Sequence, residues 1–171
     1  MNNTATQRKV PLKIVEAQDL SSYLVHHEGL MTPMLKRYFG PFYVDKIFQN
    51  DTDSYYSRSV ALRQNGSHLV LLSAELCVFK SVVPEQMIEA LRNSATPFGE
   101  LLIHHGIDVI IRQQTFSSQS EDLDQQGFRQ GRRRIMLEST HNSLVCLVDE
   151  LLSPEDTLQQ AKTYYQKKRI S

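Results

Sequence analysis

The chain has 171 residues, with 19 basic and 19 acidic side chains and 40% hydrophobic residues. This length suits one domain with a sizeable core, and the balanced charge creates no overall field that favours nucleic acid or an anionic membrane. Its apolar runs are too short to span a bilayer, and residues 1–13 have no apolar stretch typical of a signal peptide. We therefore expect one cytoplasmic domain over residues 1–171 without nucleic-acid or membrane partners, and a flexible start over residues 1–18.

The first half of the chain predicts two short helices and three strands. Residues 19–27 read as a helix that stops at Gly29, and Thr32-Pro33 opens a second one, with threonine as N-cap. Joined at residues 28–31, these helices could form a flap. Strands follow at 42–48, 55–63 and 68–79. Asn65-Gly66 between the last two is a strong hairpin signal.

The second half predicts three helices and three strands. Helices are expected at 84–91, at 98–105 after Thr96-Pro97, and at 154–169, the last with a capping box from Ser153 to Asp156. Strands are expected at 107–116, 134–139 and 144–152, and residues 117–131 form the longest predicted loop. Hairpins with helices set between them indicate an α+β fold with a mostly antiparallel sheet.

Two charged residues lie in apolar strands. Glu150 interrupts a run apolar enough to be buried, where an ionised carboxylate needs a partner. Arg58 falls on the same strand face as Val60 and Leu62. A guanidinium grips a carboxylate through two parallel hydrogen bonds, and a carboxyl group in apolar surroundings can bind a hydroxyl. The pair predicts a closed pocket for a compact ligand with a carboxylate at one end and a hydroxyl at the other. Taken singly, each residue could equally be an edge-strand or salt-bridged side chain.

Other chemistries have little support in the sequence. Adjacent histidines, as at 26–27 and 104–105, point about 100° apart on a helix and cannot chelate one metal as an i, i+4 pair would. Neither a phosphate-binding loop nor a serine-nucleophile motif is present, and Cys77 and Cys146 read as buried free thiols. The basic cluster at residues 132–134 enters a strand, so that alternation can direct one arginine inward.

Several segments in this order resemble one enzyme family. They are LMT (30–32), VVP (82–84), TPFGELL (96–102), GRRR (131–134) and DELLSP (149–154), together with an arginine in the strand before the Asn-Gly hairpin. The chain is similar over about 20–154 to chorismate pyruvate-lyase (4-hydroxybenzoate synthase) and its chorismate-lyase-like relatives. No single segment is specific, and the order and spacing carry the resemblance.

The resemblance implies a six-stranded antiparallel sheet with helical flaps over an internal cavity. It also implies conversion of chorismate to 4-hydroxybenzoate and pyruvate without metal or organic cofactor, as a supply for a quinone or an aromatic secondary metabolite. Arg58 matches the arginine that holds the ring carboxylate, and Glu150 the glutamate that meets the ring hydroxyl. Met31 and Phe98 match positions that contribute backbone amides and apolar cover.

One departure concerns the second carboxylate of chorismate. The best-known branch of the family has an arginine on the strand after the hairpin, where this chain reads SAELC (73–77). Another cation is therefore needed, and the candidates are Arg112 and one of Arg132, Arg133 and Arg134. Without it, a monoanion such as 4-hydroxybenzoate is the better ligand.

Two alternatives to the lyase stay open, and so does the oligomeric state. The first is a non-catalytic binding or sensor protein for a small aromatic carboxylate, because ligand-sensing domains of some transcription regulators share this fold. About 20 residues precede the first matched helix, so we expect no N-terminal DNA-binding domain. The second is a related lyase or dehydratase that acts on another enol ether or hydroxy acid.

Overall fold

A computed structural model describes residues 20–117 and 131–170 of the chain. The predicted flexible start, residues 1–18, and most of the predicted loop 117–131 lie outside these ranges. Within them, helices and strands occur in the predicted order: α1 (Leu20–Val25), α2 (Met31–Phe39), β1 (Phe42–Asp51), β2 (Tyr55–Gln64), β3 (Val70–Phe79), α3 (Glu85–Asn93), α4 (Phe98–His104), β4 (Val109–Ser117), β5 (Arg132–Ser139), β6 (Leu144–Leu152) and α5 (Glu155–Ile170).

The six strands form one antiparallel sheet in the order β1-β2-β3-β6-β5-β4. The first three and the last three strands each form a meander of neighbours in sequence, as the turn signals predict. The pairing of β3 with β6 joins the two meanders, with Ala74 opposite Glu150. The predicted α+β class, a single domain with a six-stranded antiparallel sheet, is confirmed.

Helices from both halves of the chain contact the inner face of the sheet. The side chain of Gln64 on β2 donates to the carbonyls of Phe39 in α2 and Ala161 in α5, each at 2.8 Å. Val60 and Leu62 on the same face are buried, whereas Ser73 and Glu75 on the outer face of β3 are exposed. This alternation gives the sheet one packed face and one open face.

The core divides into two clusters of buried residues. One lies under α1, α2 and α5 and includes Leu35 and Leu72, and the other lies under α3 and α4 and includes Leu91 and Leu137. None of the described helices has the length and apolar character needed to cross a bilayer.

Two predicted helix starts differ from the structure. Helix α2 begins at Met31 with Leu30 as N-cap and no side-chain cap, so Thr32 lies in the first turn instead of before it. The hydroxyl of Ser153, predicted to cap α5, donates to the carbonyl of Val70 at 2.6 Å and so joins this corner to β3. At Ser153, a tertiary contact decides where the polar side chain points.

Candidate functional site

A small cavity lies where the two core clusters meet. Its volume is about 50 Å³, below the range of roughly 300–1,000 Å³ that is usual for small-molecule sites. A ligand of chorismate's size therefore requires the cavity to expand. The wall is mostly apolar, with Arg58 and Glu150 as its charged residues. The remaining lining residues are Leu30, Met31, Thr32, Val60, Leu62, Leu72, Ala74, Leu76, Pro97, Phe98, Gly99, Ile135, Leu137 and Val148.

Arg58 is buried without a carboxylate partner among the described residues. The residue as a whole is only 2% exposed to solvent. The terminal nitrogens donate to the carbonyls of Leu91 and Thr96, each at 3.3 Å, and Nε has no partner. Burial lowers the pKa of the Arg58 guanidinium from its ordinary value. The residue is therefore a buried cation held by the ends of α3 and the segment before α4, with hydrogen-bonding capacity to spare.

Tyr56 supports this arrangement from the same strand. Its hydroxyl lies 3.1 Å from Oε1 of Gln49 and 3.2 Å from the carbonyl of Leu91, so it shares the latter acceptor with Arg58. Burial raises the pKa of Tyr56, which keeps the phenol neutral at physiological pH. A neutral hydroxyl cannot neutralise the neighbouring guanidinium.

Glu150 is paired with Arg133, which the sequence offered as a cation only together with its neighbours Arg132 and Arg134. Arg133 is fully buried and Glu150 is 7% exposed, and Nε of the arginine donates to Oε2 of the glutamate at 2.7 Å. Nη1 donates to the carbonyls of His27 and Gly29, at 3.3 and 2.8 Å, in the turn between α1 and α2. Arg133 thus ties the carboxylate in the cavity wall to the turn that precedes α2.

The predicted site residues divide into two groups. Arg58, Glu150, Met31 and Phe98 all line the one cavity, although the first two lie on strands that are not neighbours. The structure shows no ligand role for any of them, and their roles stay proposals.

Arg112, Arg132 and Arg134 do not reach the cavity. Arg132 and Arg134 both pair with Asp149 on the outer face, and Arg112 pairs with Glu138. Of the four arginines expected to offer a second cation, these three therefore do not line the cavity, and Arg133 remains. Strand alternation is the reason, because residues 132 and 134 share one face and residue 133 takes the other. Counting back from the buried Ile135 and Leu137 would have identified Arg133 as the inward arginine.

A second depression, of about 720 Å³, lies on the outer face of the sheet. Its outward side chains are mixed in character, from the exposed Phe48 and Leu147 to the charged Glu75 and Arg134. Two of the misassigned cations therefore face open solvent beside Asp149, where they serve an ion-pair network on the surface.

Comparisons with known proteins give little guidance. No protein-family model and no curated protein matches the sequence. Among solved structures, the chain is similar to the ligand-binding domain of a putative GntR-family transcriptional regulator from Bordetella bronchiseptica. The TM-score is 0.46 and the identity 10%, over 66% of this chain and 85% of that one. A likeness this distant carries no functional argument, so function must be argued from the site itself.

Proposed function

We propose that the chain is a cofactor-independent chorismate pyruvate-lyase, which eliminates pyruvate from chorismate and leaves 4-hydroxybenzoate. The observation that carries this proposal is the shared cavity: an uncompensated guanidinium, Arg58, and a carboxylate, Glu150, line the same apolar space. A buried cation with unused hydrogen-bond donors destabilises the fold unless an anion pairs with it. A ligand carboxylate at Arg58 supplies that anion.

The two charged residues suit opposite ends of the ring of chorismate. The ring carboxylate accepts hydrogen bonds from Arg58, whose Nε is unpartnered. The ring hydroxyl meets the carboxylate of Glu150, which Arg133 holds in the wall through Oε2. Met31 and Phe98 add apolar cover and exclude water, which strengthens these polar contacts.

The reaction requires few catalytic groups from the protein beyond these residues. The C–O bond between the ring and the enolpyruvyl group breaks, the ring loses one hydrogen and becomes aromatic, and enolpyruvate takes up a proton to leave as pyruvate. Aromatisation drives the reaction, so binding one conformer and stabilising the departing oxygen lower most of the barrier. Glu150 positions the ring hydroxyl and assists proton transfer, an effect typically worth about 10²–10⁴-fold.

One observation favours a second function, non-catalytic binding of a small aromatic monocarboxylate. The two guanidiniums, Arg58 and Arg133, and the one carboxylate, Glu150, leave one positive charge in excess. A monoanion such as 4-hydroxybenzoate neutralises this excess, and it is smaller than chorismate, in keeping with the narrow cavity. A sensor of this kind needs Arg58 and tolerates loss of Glu150.

Turnover of chorismate by the purified protein distinguishes the two functions. Without added metal, 4-hydroxybenzoate and pyruvate are followed together by chromatography, and we expect equal amounts of both. Glu150→Gln should slow turnover by about 10²–10⁴-fold and spare binding of 4-hydroxybenzoate. Asp149→Asn is the matched control, since that carboxylate lies next in sequence on the outer face, and it should leave turnover unchanged. Binding of 4-hydroxybenzoate without any turnover would overturn the lyase and leave the sensor.

A further inference from the structure

Arg133 is as buried as the centre of the hydrophobic core, yet one edge of its guanidinium is unused. The residue has no exposed surface, Nε and Nη1 have acceptors, and Nη2 has none among the residues that the structure describes. Buried donors on charged groups are almost always satisfied in proteins, because an unmade hydrogen bond there costs far more than one in water. An unused edge beside a ligand cavity indicates an acceptor that the ligand brings.

The strand register places this edge relative to the cavity. Ala74, Glu150 and Arg133 lie opposite one another in a row across β3, β6 and β5. Ala74 and Glu150 line the cavity, and Arg133 is the next residue of the row, about one strand spacing of 4.8 Å beyond it. Arg133 donates to Glu150, so its guanidinium lies directly behind the cavity wall, and a ligand larger than 50 Å³ requires the cavity to expand.

We propose that Arg133 binds the second carboxylate of a dicarboxylate ligand through Nη2, while Arg58 binds the first. This inference rests on the proposed function and assigns the cation that the segment 73–77 lacks. It also makes Glu150 the counter-ion of Arg133 while the cavity holds no ligand.

A pair of variants isolates the charge of Arg133, because both lack the carboxylate of Glu150 and only one keeps the guanidinium. In Glu150→Gln the amide can still accept from Arg133, and in the double variant Arg133→Gln/Glu150→Gln two neutral amides replace the ion pair. Calorimetry measures binding of two inert ligands: 4-hydroxybenzoate, and the aromatic analogue of chorismate that carries both carboxylates and cannot eliminate pyruvate. Between the single and the double variant, we expect the dicarboxylate to bind about 30-fold more weakly or worse. Binding of 4-hydroxybenzoate should change by less than about threefold, because Arg58 holds its carboxylate in both variants.

Several outcomes would overturn the assignment. Equal losses for both ligands would make Arg133 a purely structural residue, and no loss for either would remove it from the site. If the wild-type protein turns chorismate over and the double variant keeps the affinity of the single variant for the dicarboxylate, this inference alone is refuted. A wild-type protein that binds neither ligand refutes the proposed function as well.

Discussion

Arg58 is held in the core at a cost to stability. Its guanidinium has two carbonyl contacts of 3.3 Å and an unpartnered Nε, and burial lowers its pKa. A base whose pKa is lower in the folded state destabilises the fold at every pH below that pKa, because the charged form is the one disfavoured by burial. Such a residue is best explained by ligand binding.

We predict that Arg58→Met leaves stability unchanged or raises it by up to about 2 kcal/mol, because a methionine fills the space without a buried charge. The same variant should lose binding of 4-hydroxybenzoate. Urea unfolding and calorimetry on one sample measure both effects. Arg63→Met, on the same strand but half exposed and paired with Asp45, is the control and should change stability by less than about 1 kcal/mol. A strongly destabilised Arg58→Met that still binds the ligand would make Arg58 a structural residue.

Part of the site could be predicted from single residues. Strand alternation marked Arg58 and Glu150 as inward charges, and the structure places both at one cavity. The pairing of Glu150 with Arg133 could not be foreseen, because it depends on the register between β5 and β6. A run of three arginines does not show which of its side chains faces the core. The buried apolar residues that follow it, Ile135 and Leu137, show that the inward one is Arg133.

Among the elements, helix α1 depends on a cap from the other end of the described chain. The carboxylate of Glu155 at the start of α5 accepts hydrogen bonds from the amides of Leu20 and Ser21, at 3.0 and 2.8 Å. A helix of six residues is too short to be stable alone, so this cap and its packing on α5 hold it in place. The turn after α1 carries the carbonyls that accept from Arg133.

We predict that Glu155→Ala destabilises the fold by about 1–2 kcal/mol, because it leaves two amides at the start of α1 without their carboxylate. Asp156→Ala, the exposed neighbour, should change stability by less than about 0.5 kcal/mol. Chemical denaturation compares the two variants with the wild type. Similar small effects for both would show that α1 does not depend on this cap.

Local signals predicted the elements better than their ends. Asn65-Gly66 and the turn at 140–143 define hairpins that the structure contains. The Thr-Pro rule misplaced the start of α2 by one residue or two, and the capping box at Ser153 is replaced by a contact with Val70. The second miss comes from a tertiary contact that a short sequence window does not include.

Across the whole molecule, the outer face of the sheet carries the ion pairs that respond to acid. Arg132, and after it Arg134, hold the pKa of Asp149 below its ordinary value of 3.8. An acid with a lowered pKa in the folded state stabilises the fold above its ordinary pKa, and this contribution disappears as the pH falls through the lowered one. Arg92, and after it Lys80, lower the pKa of Asp51 in the same way, so these ion pairs also stabilise the fold above the ordinary pKa of the carboxyl.

We therefore predict that Asp149→Asn lowers stability by up to about 1 kcal/mol at neutral pH and that the difference from wild type disappears well below pH 4. Melting temperatures over a pH series measure it. If the stability difference between Asp149→Asn and the wild type is the same at the lowest pH, the packing of the Asp149 side chain and not its charge stabilises the fold.

The order of the strands was the least predictable feature of the molecule. Hairpins follow from local turns, whereas the pairing of β3 with β6 joins segments about 70 residues apart and has no local signal. That pairing also creates the site, since it places Glu150 beside Ala74 and so on the same cavity as Arg58.

A crystal structure of the protein with 4-hydroxybenzoate tests the account most directly. We predict one molecule in the cavity between the core clusters, with its carboxylate hydrogen-bonded to the Arg58 guanidinium and its hydroxyl within hydrogen-bonding distance of Glu150. A molecule seated only in the depression on the outer face of the sheet, beside Arg134 and Asp149, would contradict this account.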